Sequence, residues 1–270
     1  MPAATNVREI PVVSARTLWF FRRIVRIYFR RHFRSVMVQH AEVLAGSTGP
    51  LIVYGNHSSW WDPMVSVLVA EILLPGRKHY APMDAAALKR YPILAKIGIF
   101  PVEMGTARGA AQFLGTCKAI LASGGVVWVT PQGRFVDSRE RPLGFKPGLG
   151  ALAARFPEAL IVPLAVEYMF WDERLPEVLL RVGEPVRFAE GVSSDAASER
   201  LEGALVVTME ELKQAVMARD AAAFGVLLRG GRGTGGMYGF GQWVRGLFAK
   251  EAVQWDHTER VESGDVREES

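Results

Sequence analysis

Three uninterrupted apolar runs constrain this chain more than any other feature. They are Leu51-Ile52-Val53-Tyr54, Val126-Val127-Trp128-Val129 and the longer stretch LIVPLAVEY at residues 160–168. Each has the length and composition of a buried strand. Pro163 inside the third run predicts an edge or a bulge, because proline has no N–H for a ladder. Segments of helical character separate the runs. Residues 63–74 form one, stopped by Pro75-Gly76, and residues 85–97 another, with Asp84 as N-cap and Pro92 expected to kink or break it. Residues 106–123 and an alanine-rich stretch through Phe156 follow, and then residues 198–219, where Leu201, Leu205, Met209, Leu212 and Val216 share a face. Shorter strands are expected at 79–83, 98–104, 178–182 and 185–188. This alternation from residue 51 to residue 219 predicts an α/β domain.

Composition narrows the class. A chain of 270 residues that is 49% apolar has ample material for one core. The single cysteine, Cys117, excludes an internal disulfide framework and cysteine-rich metal sites, and the five histidines are scattered without ligand spacing, so no metal is expected. No stretch of eighteen uncharged apolar residues exists, so no spanning helix is expected. The N-terminus lacks the arrangement of a secretory signal. Net charge is only +4, but the N-terminus is strongly basic and the last fifteen residues are acidic on balance, with six carboxylates against two arginines.

The basic end has a pattern of its own. Residues 16–38 read RTLWFFRRIVRIYFRRHFRSVMV, with seven arginines within residues 16–34. On a helical wheel Arg22, Arg23, Arg26, Arg30 and Arg34 share one face. Phe21, Ile24, Val25, Tyr28, Phe29 and Val36 share the other, widened by Phe20 and Ile27. Arginine facing lipid phosphate and aromatics dipping into acyl chains is the pattern of a helix lying in a membrane interface. The competing reading is a helix packed on its own domain. Nothing resembles a DNA-reading motif, so no nucleic-acid partner is expected. The divisions expected are a basic interfacial helix at 1–40, an α/β domain at 41–220, a glycine-rich and aromatic segment at 221–255 and a charged, disordered tail at 256–270. The third of these, with Phe240, Trp243, Val244, Leu247 and Phe248, is a second membrane contact or a lid.

The chemistry-bearing stretch is LIVYGNHSSWWDP at residues 51–63. His57 follows the first strand at once and Asp62 lies five positions on. Neutral imidazole takes up a proton near pH 7, and a carboxylate on its other nitrogen fixes the tautomer. Residues five apart on a straight helix point about 140° away from each other, so the pair meets only across a turn. Ser58 and Ser59 favour that turn and Pro63 the start of a helix. A lone His and Asp here also fit a capped helix with a satisfied histidine.

Asn56-His57-x4-Asp62 resembles the first block of the PlsC-like glycerolipid acyltransferases, the NHxxxxD superfamily that includes 1-acylglycerol-3-phosphate acyltransferases. Three further stretches resemble that family's later blocks in order, over roughly residues 50–170. Gly98–Met104 matches the second by position, with Met104 where an arginine is expected. Pro131-Gln132-Gly133-Arg134 matches the third, with Gln132 in place of glutamate, and Phe145-Lys146-Pro147-Gly148 resembles the short turn after it. Val162-Pro163 matches the fourth.

The resemblance implies a mixed central sheet flanked by helices and preceded by the amphipathic helix. It implies an O-acyltransferase of lipid metabolism, the phospholipid-biosynthesis type, with His57 as general base and Asp62 orienting it. Gln132, Gly133, Arg134, Glu103 and Lys146 would bind the acceptor. Asn56, Trp60, Trp61, Val162 and Pro163 would line the acyl or donor pocket. Acyl-CoA or acyl carrier protein would be the donor, with no cofactor. A membrane surface with anionic lipid would be the partner, and the location peripheral, on the cytoplasmic face. Met104 and Gln132 argue against a simple lysophosphatidate acceptor and toward a lyso-aminolipid or glycolipid, whereas Arg134 or Lys146 in place of the missing arginine keeps a lysophospholipid open. A non-catalytic lipid-binding protein built on a degenerate domain is the alternative.

Overall fold

The computed structural model describes residues 10–231. The aromatic segment around Trp243 and the charged tail lie outside the described residues. An eight-stranded mixed sheet organises the chain, in the order β4-β3-β5-β2-β6-β7-β1-β8. Its strands are β1 (Ser35–Gln39), β2 (Leu51–Gly55), β3 (His79–Asp84), β4 (Ile99–Val102), β5 (Val126–Val129), β6 (Leu160–Met169), β7 (Glu177–Val182) and β8 (Gly225–Arg229). β2, β3, β4, β5 and β6 run parallel to one another, β7 is antiparallel to β6, and β1 pairs parallel with β7 and antiparallel with β8.

Helices cover both faces. On one lie α1 (Ala15–His32), the short α2 (Ala41–Ala45) and α3 (Asp62–Leu73). On the other lie α5 (Ala107–Ala122), α6 (Gly148–Arg155) and α7 (Ser194–Ala218). α4 (Ala85–Arg90) and a 3-10 helix (Pro92–Ile97) join β3 to β4, and the break between them falls at Tyr91-Pro92, where proline was expected to interrupt. Covering both faces explains the continuous apolar runs, since β2 and β5 have no solvent side. α3 carries the chain from β2 out to β3, whereas α5 and α6 bring it back on the opposite face to β5 and β6. The chain therefore reverses direction around β2, and the C-terminal ends of the parallel strands open into a crevice there.

Several expectations are corrected by packing. The basic helix ends at His32, so Arg34 and Val36 are not on it, and Val36 is buried in β1. Val25 and Phe29 face the core of the domain, and Arg26 donates to Glu71 of α3 at 3.0 Å. The outer side of α1 mixes Trp19, Phe20, Ile27 and Tyr28 with Arg16, Arg23, Arg30 and Arg31. A wheel tells which residues share a face, not which face a domain covers. The sheet also extends past residues 41–220, because β1 precedes that span and β8 follows it. Of residues 185–188, expected as a strand, only Val186 forms a bridge, to Ile161. Pro163 sits in a central strand. On its β7 side the register slips by one residue between the Ile161–Val186 and Leu164–Val182 pairs, so the bulge is in the partner and no N–H is needed. Among the described residues no helix is long and apolar enough to cross a membrane.

Candidate active site

Asp62 opens α3, followed by Pro63, so its carboxylate sits at the positive end of that helix. The turn Ser58–Trp61 folds back and brings His57 Nδ1 to 2.9 Å from Asp62 Oδ2. The same oxygen accepts the Ser59 N–H at 2.8 Å, and Asp62 Oδ1 accepts the Tyr168 hydroxyl at 2.5 Å. The Asp62 side chain is 4% exposed and that of His57 15%. Because Asp62 occupies Nδ1, Nε2 is the ring nitrogen left for chemistry. The Phe135 ring lies 4.5 Å from the imidazole, centroid to centroid.

Two ties fix the backbone around the pair. Asn56 is buried and uses both ends of its amide on Val166, donating to its carbonyl at 3.0 Å and accepting from its N–H at 2.9 Å. The side chain thus replaces one rung of ladder where β2 has ended. The His57 N–H donates to Gln132 Oε1 at 2.9 Å, and the Val136 N–H donates to the His57 carbonyl at 2.8 Å. These bonds join the loop after β2 to the loop after β5.

The pair borders a cavity of about 630 Å³ between α3, β3 and the ends of β2 and β5. Val67, Ala70, Ala81, Ile97, Ile99 and Trp128 give it an apolar lining. His79 lies in the same lining. It accepts the Trp128 indole N–H at Nδ1 (3.1 Å), so Nε2 carries the hydrogen and donates to the Leu74 carbonyl at 3.3 Å. Burial is the main cause that pushes its pKa down to about 4, with the Arg22 and Arg77 charges adding and the Leu74 bond opposing.

The cavity brings together six of the residues expected at the site: His57, Asp62, Asn56, Gly133, Arg134 and Lys146. The Lys146 side chain crosses Gly133, where an added Cβ would meet Nζ at 2.7 Å and where φ is +62°, so glycine is required. Arg134 is exposed and pairs with Glu140 at 3.0 Å. The other expected residues lie elsewhere. Gln132 is buried behind the histidine and its amide oxygen is held by the backbone. Glu103 is exposed outside the lining, whereas Met104 lines it. Trp60 is exposed, and Trp61 packs edge-on against Phe33 at 4.8 Å and against Phe29 at 5.7 Å, holding the end of α1 to the turn between His57 and Asp62. Val162 is sheet core and Pro163 stands opposite the bulge, and neither reaches the cavity. Tyr168, Phe135, His79 and Trp128 were not anticipated. Tyr168 closes the LIVPLAVEY run, but nothing in its spacing points to Asp62, which is 106 positions away.

A family model described as Acyltransferase matches residues 18–167, more than half of the chain and including the His57–Asp62 pair. Among solved structures, the 1-acyl-sn-glycerophosphate acyltransferase PlsC from Thermotoga maritima is similar at 20% identity and a TM-score of 0.49, covering 76% of this chain and 80% of that one. None of the curated proteins matches. On the strength of the family match, the chain belongs to the acyltransferase family.

Proposed function

We propose that this protein moves a fatty acyl group from an acyl thioester, on coenzyme A or acyl carrier protein, to a hydroxyl of a membrane lipid. The observation that carries the reading is the 2.9 Å contact between His57 and Asp62 at the border of an apolar cavity. In the reaction, His57 Nε2 takes the hydroxyl proton as the oxygen attacks the thioester carbonyl. Asp62 stabilises the imidazolium that forms. The tetrahedral intermediate then expels the thiolate, which takes the proton from the imidazolium, leaving ester, thiol and neutral histidine. The apolar lining takes the acyl chain. Lys146 and Arg134 stand near the acceptor headgroup. Because Glu140 pairs with Arg134, Lys146 is left as the cation for an anionic group, which favours an acceptor with less charge than a phosphomonoester.

The exposed arginines and aromatics of α1 support a peripheral position on an anionic leaflet, on the cytoplasmic face. The test is His57→Ala with a labelled acyl thioester and a lipid extract. Turnover is expected to fall by roughly 10²–10⁴-fold, the usual worth of a general base. Unchanged ester formation sinks the proposal. Stoichiometric lipid binding by the unaltered protein without thioester cleavage points instead to a lipid carrier.

A further inference from the structure

Tyr168 lies beyond the last paired residue of β2, on a length of β6 that runs past its neighbour. Asn56 holds Val166 there by both backbone groups. Side chains alternate along a strand, so Tyr168 faces the same way as Val166 and Leu164, toward the layer that contains α3. Its ring lies 6.0 Å from that of Phe33. Its hydroxyl reaches Asp62 Oδ1 at 2.5 Å. Burial, and then the Asp62 charge, hold the phenol far above its ordinary pKa, so it stays protonated and donates. Asp62 therefore has both oxygens engaged, Oδ2 by His57 and Ser59 and Oδ1 by Tyr168. Tyr168 does not line the cavity, and it falls just beyond the residues matched by the family model.

We propose that Tyr168 is a positioning residue that sets both the orientation and the proton affinity of the His57–Asp62 pair. This rests on the reading of His57 as general base. Two effects follow from one hydrogen bond. A carboxylate held at Oδ2 alone can swing about its terminal torsion, which is broad for aspartate. Tyr168 pins the second oxygen and keeps Oδ2 in line with Nδ1. The donated hydrogen also draws negative charge from the carboxylate and weakens its hold on the imidazole proton. Ionisable groups on neighbouring elements are His32 on α1, His79 and Asp84 at the two ends of β3, Glu167 on β6, and Arg134 and Lys146 in the loops after β5. None of these hydrogen-bonds to His57 or Asp62, so the substitution below leaves them as they are.

The experiment compares Tyr168→Phe, His57→Ala and the unaltered full chain, using an acyl thioester and a lysolipid acceptor in mixed micelles from pH 5 to 9. For Tyr168→Phe, kcat is expected to fall about 10- to 100-fold, the scale on which misplaced catalytic groups lose rate, with KM for both substrates nearly unchanged. The acid limb of the kcat profile moves up by roughly half a pH unit or more, because the carboxylate now holds the imidazolium more strongly. A tyrosine that only fills space changes thermal stability and leaves kcat and the profile alone, and that result overturns the proposal. Full activity in His57→Ala overturns the general-base reading instead. A second variant covers misfolding of Tyr168→Phe. 3-Fluorotyrosine placed at position 168 alone keeps the ring and donates more strongly, so the acid limb must move to lower pH. No shift, or a shift to higher pH, overturns the proposal.

Discussion

Asp62 shows how much a single buried charge depends on what surrounds it. It has donors on both oxygens and sits at a helix N-terminus, and no arginine or lysine is bonded to it. Asp62→Asn keeps the volume but offers one acceptor oxygen where the carboxylate had two. With that oxygen facing Ser59 and His57, the amide nitrogen faces the Tyr168 hydroxyl, which then loses its acceptor. With the amide turned over, the nitrogen meets Nδ1 and forces the other tautomer. The second arrangement leaves the hydrogen on Nε2, and the first removes the charge that stabilises the imidazolium. The expected loss in kcat is about 10²–10⁴-fold with little change in acyl-thioester binding, measured by steady-state kinetics and by calorimetric titration of a non-reactive thioether analogue. Activity within a few-fold of the unaltered protein would mean that Asp62 only holds the turn before α3. The pair was legible in the sequence because a short turn brings its members together. Tyr168 was not, because a contact between β6 and α3 depends on strand order, which no local pattern encodes. Gln132 was misplaced for a related reason: its type and position suggest a ligand, whereas burial makes it a backbone acceptor.

At the scale of elements, the three long apolar runs announced β2, β5 and β6, since a strand covered on both faces needs continuous apolar character. β8 was not anticipated, because it lies at the start of the segment read as a membrane contact or a lid. Its buried residue is Leu228, and its other side chains are wholly or partly exposed, as suits an edge strand. α1 is the element whose two faces have different tasks. Val25 and Phe29 fix it to the domain, so substitutions there cost folding stability, about 2–5 kcal/mol for a fully buried large side chain cut to alanine. Trp19, Phe20 and Ile27 are 63%, 56% and 54% exposed, so replacing them with serine leaves the core intact. If this face lies in a bilayer interface, the triple variant keeps its melting temperature within a few degrees but partitions far less onto vesicles containing phosphatidylglycerol. Sedimentation with such vesicles reads this directly. Arg23, Arg30 and Arg31 contribute by charge, each worth on the order of 1 kcal/mol near an anionic surface, so raised salt should weaken binding of the unaltered protein as well. Equal partitioning of the triple variant and the unaltered protein would remove α1 from the membrane contact.

For the molecule as a whole, the half-buried His79 of the cavity links stability to pH. His79 is neutral in the folded chain with a pKa near 4, against an ordinary value of 6.5. Between those values the unfolded chain binds a proton that the folded chain does not. Stability therefore falls as pH drops through 6.5 and continues to fall until about 4, with a limiting slope of about 1.4 kcal/mol per pH unit. Water reaching the open cavity reduces the effect, so a loss of roughly 2–3 kcal/mol between pH 7 and 4 is the upper range. Glu167 and Glu177, whose pKa values burial raises, act in the opposite sense over the lower part of this window, because the folded state binds their protons more readily. The raw pH dependence therefore mixes several groups. His79→Gln isolates one of them. Glutamine can accept from the Trp128 indole and donate to the Leu74 carbonyl, but it does not titrate. Denaturant unfolding of both proteins at pH 7 and pH 4.5 should give a stability difference between them that shifts in favour of the variant on acidification. A difference that stays constant with pH would show that His79 takes up a proton as readily in the folded chain as in the unfolded one, and the lowered pKa would then be wrong.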